Sequence, residues 1–166
     1  MILVVVDDLA FVTADAVVRA ADEVLNPVSP EMSRLDRQAG ARFASLRHVS
    51  TPLDAGAAVV TGGGELAAPF VLHVVIRDRT LDTSRDVVRR ALVSAWQRAS
   101  DWGLGRIAAP LIGVGAGQLS VEDATELLAE TFPQPGEGGS PSELRIVVER
   151  EEDRALVEAI VHRRRG

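Results

Sequence analysis

The spacing of apolar positions changes several times along this chain, and each change marks an element. Ile2-Leu3-Val4-Val5-Val6 is an unbroken apolar run that meets Asp7-Asp8, as a first strand and its exit would. Asp15-Ala16-Val17-Val18-Arg19-Ala20-Ala21-Asp22 reads as a second strand or strand end, a β-branched pair giving way to small residues and then a charge. In Asn26-Pro27-Val28-Ser29-Pro30 the turn residues stop one element and start another, with Ser29 as cap and Pro30 at the first helical position. Met32, Leu35 and Ala39 give that helix one apolar face, and it ends near Gly40. A short helix through Phe43-Ala44-Ser45-Leu46-Arg47-His48 leaves His48 facing solvent.

Residues 56–61 and 70–76 read as two strands joined through Gly62-Gly63-Gly64, a connection with no helix behind it. Thr83-Ser84-Arg85-Asp86 has the form of a capping box, and the long helix after it buries Val87, Val88, Ala91, Leu92, Ala95, Trp96 and Ala99. Trp96 and Trp102 read as packing residues. Residues 107–112 form a strand buried on both faces, Ser120 opens a helix carrying Val121, Ala124, Leu127 and Leu128, and a Gly, Pro and Ser-rich loop spans 133–141. A last strand over 143–149 and a helix over 151–165 close the chain, the helix running from acidic to basic as its dipole favours. Strands alternating with helices imply α/β architecture: a three-layer α/β/α fold whose mixed central sheet gains an antiparallel portion from the strands around Val59 and Leu72. The length suits a single domain over 1–166.

Composition narrows the function classes. There is no cysteine, hence no disulfide framework, thiol nucleophile or cysteine metal site, and a reducing cytoplasm suits such a chain. The opening apolar run is too short for a signal-peptide core, and no run reaches the length of a membrane span, so no membrane partner is expected. A net charge of −6 and the absence of tyrosine argue against nucleic acid, which needs clustered cations and stacking surfaces. Nothing in the pattern implies a metal ion or a cofactor.

The candidate chemistry lies in Gly113-Val114-Gly115-Ala116-Gly117-Gln118-Leu119-Ser120. A glycine loop between a strand and a helix can turn successive backbone N–H groups toward one point, and the helix behind adds unpaired donors and about half a positive charge. Such a loop holds an anion, most simply a phosphate, or else it is a tight turn that uses glycine for geometry alone. Arg19 and Asp22 lie where a strand's carboxyl end would meet a ligand, and equally where a surface ion pair would form. His73, inside an apolar strand, reads as a hydrogen-bonded core residue.

These pieces, in order from Asp7-Asp8 through the 15–22, 56–61 and 70–73 segments to Pro110-Leu111-Ile112 and the glycine loop, resemble a macro domain. The resemblance implies a pocket for ADP-ribose or a related nucleotide. Asp8 would accept a hydrogen bond from the adenine amine, backbone N–H groups of Val114, Gly115, Ala116 and Gly117 would hold phosphate oxygens, and Leu9, Arg19, Ala20, Gly113, Gln118 and Leu119 would contribute to the same pocket. Two segments depart from the family pattern. Arg19-Ala20-Ala21-Asp22 stands where the family has Asn-Ala-Ala-Asn, and Val28-Ser29-Pro30-Glu31 stands where it has a run of glycines. A carboxylate at Asp22 cannot donate as an amide does, and it would repel a diphosphate. Three readings follow: a binding module, an ADP-ribosyl ester or phosphate hydrolase with Asp22 as catalytic base and His73 assisting proton transfer, or a structural module, a homo-oligomer held by apolar surface, whose pocket is filled by its own first loop.

Overall fold

The computed structural model describes residues 1–115, 118–134 and 139–166. Within them lie β1 (Ile2–Val6), β2 (Ala16–Ala21), α1 (Pro30–Ala39), α2 (Phe43–Leu46), β3 (Ala58–Gly62), β4 (Phe70–Val75), α3 (Arg85–Asp101), β5 (Arg106–Ala109), α4 (Val121–Thr131), β6 (Glu143–Val148) and α5 (Glu151–Arg165). The strands form one sheet in the order β1-β6-β5-β2-β4-β3, parallel except for β3 against β4. The mixed three-layer α/β/α arrangement expected from the alternation of elements is the one observed.

Local signals account for most boundaries. Ser29 accepts the Met32 N–H at 3.3 Å with Pro30 at the first helical position, and Gly40, at φ 93°, ends α1. The start of α3 differs from the expected capping box by one residue. Ser84 is the cap, accepting the Val87 N–H at 3.2 Å, because the Thr83 hydroxyl is drawn inward to donate to the Ile76 carbonyl at 2.9 Å. The strand expected over 107–112 stops at Ala109, where Pro110 supplies no N–H to continue the ladder. Trp96 packs as expected, edge-on to Phe132 with its indole N–H on Thr131, whereas Trp102 is 56 % exposed and touches Phe70 with one edge.

The two ends of the sheet carry different loops. Ala16, the first residue of β2, pairs with Phe70 and Ile107, and Gly62 pairs with Phe70, so the Gly62-Gly63-Gly64 connection lies at the amino ends of the parallel strands. The 110–120 loop leaves the carboxyl end of β5, opposite to it, together with the loops after β1 and β2. In open α/β sheets that is the end where ligands collect.

Candidate functional site

The loop after β5 is fixed at both ends by its own sequence. Gly113 takes φ 92°, and a Cβ there would lie 2.9 Å from the Leu119 Cδ1, so glycine is required. Ser120 accepts the Asp123 N–H at 3.0 Å and caps α4, with Glu122 and Asp123 in the first turn. Between these ends the amides divide. Val114, expected to hold phosphate, donates its N–H to Leu111 O at 3.3 Å, and the Gln118 and Leu119 N–H groups both reach Gly113 O at 3.2 Å. Gly115 is exposed. Ala116 and Gly117 lie outside the described residues.

Residues 29–31 face Gly115. A methyl group added at Gly115 would lie 3.0 Å from the Ser29 Cβ and 3.1 Å from both the Ser29 Oγ and the Glu31 Oε1. The cleft between the two loops, walled also by Ala20, Met32 and Ile112, has a volume of only ≈ 10 Å³, about the room one water needs. Burial and the neighbouring Glu149 carboxylate push the Glu31 carboxyl above its ordinary range, with Arg34 pulling weakly the other way. On the far side of Glu31 a groove of ≈ 180 Å³ runs past Val114, Val121 and Val148 to Glu149, Arg150 and Asp153.

Arg19, placed by sequence at a strand exit, lies inside β2 and is fully buried. Its guanidinium grips Asp36 of α1 with two bonds of 2.7 and 2.8 Å, donates to Leu25 O at 2.9 Å and approaches the His73 Nδ1 at 3.2 Å. The Phe43 ring of α2 lies against both Arg19 and Arg47, at 5.6 and 5.8 Å. Arg47 also donates to Leu25 O at 2.7 Å. The sequence reading missed Asp36, although a signal for it exists: it sits four residues after Met32 and three before Ala39, on the core face of α1, where a carboxylate implies a buried cation. His73 is the buried, hydrogen-bonded core residue the sequence suggested, with Nε2 2.7 Å from the Thr61 hydroxyl.

Asp22 is half-buried and organises a turn. Its Oδ1 accepts the N–H groups of Val24 at 3.0 Å and Asn26 at 2.9 Å, around Leu25 at φ 63°. Asp8 is exposed at the end of β1, its Oδ1 accepting the Ala10 N–H at 3.0 Å to cap a single 3-10 turn over Leu9–Phe11. Leu9 packs partly into the core, and Ala20 is buried with its N–H on the Met32 sulfur at 3.3 Å.

Two roomier clefts lie elsewhere. One of ≈ 780 Å³ sits by Gly62, Gly63 and Gly64, but there the Gly63 N–H is spent on Pro69 O and the Glu65 N–H on Ala39 O. The other, ≈ 640 Å³, runs between the β1 edge and α5 and is mostly apolar. Among the described residues no group of three His, Cys, Asp or Glu side chains could hold a metal, and no helix is long and apolar enough to cross a membrane.

The Macro domain family model matches residues 18–128. A protein of Aeropyrum pernix is 31% identical over 117 residues, covering 70% of this chain and 62% of that protein. A Mycobacterium tuberculosis protein is 24% identical over 121 residues, and the chain spans only 34% of its length. Among solved structures, the Trypanosoma brucei macrodomain in complex with ADP superposes with a TM-score of 0.82 at 22% identity, over 96% of this chain and 68% of that one. The same protein has been solved in complex with ADP-ribose.

Proposed function

The chain belongs to the macro domain family, and from that premise we propose that it is a binding module for ADP-ribose or a closely related nucleotide, with the diphosphate taken up where Gly115 meets the N-terminus of α4. The observation that carries the reading is the loop itself. Gly113 in a left-handed conformation, an exposed Gly115 and a capped helix end with its dipole directed at the loop form an anion-attracting corner at the carboxyl end of the sheet. Asp8 suits the adenine end of such a ligand. It is exposed at the same end of the sheet, and Oδ2 is available to an exocyclic amine while Oδ1 caps the 3-10 turn.

Binding is the reading rather than hydrolysis because of what the two departing residues do. Arg19 is sealed beneath α1 and α2, away from any ligand, and Asp22 gives one carboxylate oxygen to two backbone donors of its own turn. A general base needs hydrogen-bond reach to a substrate proton, and no observation here supplies that for Asp22. The net charge of −6 makes nucleic acid a poor partner, and a chain without cysteine suits a reducing cytoplasm.

One observation favours a second reading. A cleft of ≈ 10 Å³ is what a self-filled scaffold module would show. Calorimetric titration with ADP-ribose and AMP separates the two. The binding module gives a saturable heat that disappears in Gly115→Glu while that variant still unfolds cooperatively. No heat at millimolar ligand and no shift in melting temperature would leave the scaffold reading.

A further inference from the structure

The cleft beside Gly115 is closed by two side chains of unequal mobility. Ser29 is anchored, since its hydroxyl caps α1 and Pro30 fixes the backbone next to it. Glu31 is not. It is a long unbranched side chain, and among the described residues its carboxylate has no hydrogen bond or ion pair, the nearby Arg34 being paired with Glu149 instead. It stands in the anion corner, with Oε1 3.1 Å from the position a Gly115 Cβ would take. Room to leave exists on its other side, in the ≈ 180 Å³ groove that Arg150 borders.

We propose that Glu31 is the specificity-determining residue of this cleft: its carboxylate occupies the phosphate position, and a phosphorylated ligand binds by driving that side chain out into the neighbouring groove. The proposal rests on the reading that the glycine loop takes such a ligand. Burial favours the exchange in one direction. Inside the cleft the carboxylate is desolvated and already feels Glu149, whereas the groove, bordered by Arg150 as well as by Glu149 and Asp153, has room for the water that solvates it. The closed arrangement therefore acts as a toll on every ligand, lowering its apparent affinity by the fraction of molecules that are open. Ligands whose phosphates recover that toll through the Gly115 N–H and the α4 dipole are retained, while uncharged nucleosides are not.

The test is calorimetry on the full chain with ADP-ribose, comparing wild type with Glu31→Ala and Glu31→Gln. The alanine variant, which removes the plug, is expected to bind about tenfold tighter. Glu31→Gln keeps the bulk and loses only the charge, so its gain is smaller. If wild type binds and Glu31→Ala tightens by less than threefold, or if both variants gain equally, displacement is overturned while the binding reading stands. If wild type is silent and Glu31→Ala binds, both are supported; if neither binds, both fall. Glu31→Asp, shorter but still charged, replaces Glu31→Ala should that variant not fold, with tightening of threefold or more expected and none overturning the proposal.

Discussion

Arg19 shows how a single buried charge sets the protonation of everything around it. A guanidinium only donates, so where it meets His73 the Nδ1 must accept, which puts the ring proton on Nε2 and makes it the donor to the Thr61 hydroxyl, itself free to reach Gly62 O at 3.1 Å. Burial, then Arg19, then Arg47 hold the His73 ring well below its usual 6.5, so the folded protein keeps it neutral. Below pH 6.5 the unfolded chain takes up a proton that the folded chain refuses. Stability contributed here is therefore intact above 6.5 and is lost as pH falls, by about 1.4 kcal/mol per unit while the folded ring stays neutral. Urea unfolding at pH 7, 6 and 5 should show wild type losing about 2 kcal/mol more than His73→Gln over that range. Parallel profiles for the two would mean that the ring does not report this burial. The sequence disclosed that His73 was internal, because an apolar strand surrounds it. It did not disclose Arg19, whose partners Asp36, Leu25 and His73 converge only through the packing of α1, the turn after β2 and β4.

At the scale of elements, caps and strand ends were readable because they are decided within four or five residues: Ser29 with Pro30, Ser120 with Asp123, and Gly113 beneath Leu119 each carry their reason locally. Two ends differ: Ser84 replaces Thr83 as cap through a tertiary bond to Ile76, and the strand expected to reach Ile112 stops at Ala109 before Pro110. The candidate site divides the same way. The strand-loop-helix unit and the two departures from the family pattern were visible in the residues, and filling of the pocket by the first loop was one of three readings. Which reading the fold adopts depends on the approach of Ser29 to Gly115, an approach between loops 86 positions apart that no local signal encodes. That approach can be trapped chemically because the chain has no cysteine. The 3.0 Å between the Ser29 Cβ and a Cβ at Gly115 is slightly tighter than the roughly 3.5–4.5 Å of ordinary disulfides, so a small relaxation would bridge the pair. The double variant Ser29→Cys with Gly115→Cys should oxidise in air to a monomer without titratable thiol, whereas each single variant shows one. Two free thiols in the double variant would mean that the loops stand apart in solution.

Over the whole molecule the charges are distributed so that structure and ligand feel salt differently. Ion pairs tie α3, α4 and α5 together on the surface, Arg85 with Asp123, Arg89 with Glu130 and Arg164 with Glu126, but these residues are partly exposed and such pairs contribute little. Melting temperature should therefore change little between about 50 and about 500 mM sodium chloride, about half a decade either side of physiological ionic strength. The cleft has a different balance. In it and along the adjoining groove stand the carboxylates of Glu31, Glu149 and Asp153 against the cations Arg34 and Arg150, within a chain of net charge −6. A diphosphate approaching this end meets repulsion, relieved only by backbone dipoles, which salt screens weakly at contact distance. Affinity for ADP-ribose should accordingly rise with ionic strength, by about twofold over the same interval as the Debye length contracts. A site that captured its ligand with free lysines and arginines would lose affinity instead, as phosphate-neutralising surfaces do. Titrations at three salt concentrations decide the matter: a steady fall in affinity would mean that cations, and not the glycine loop with its helix end, supply the attraction.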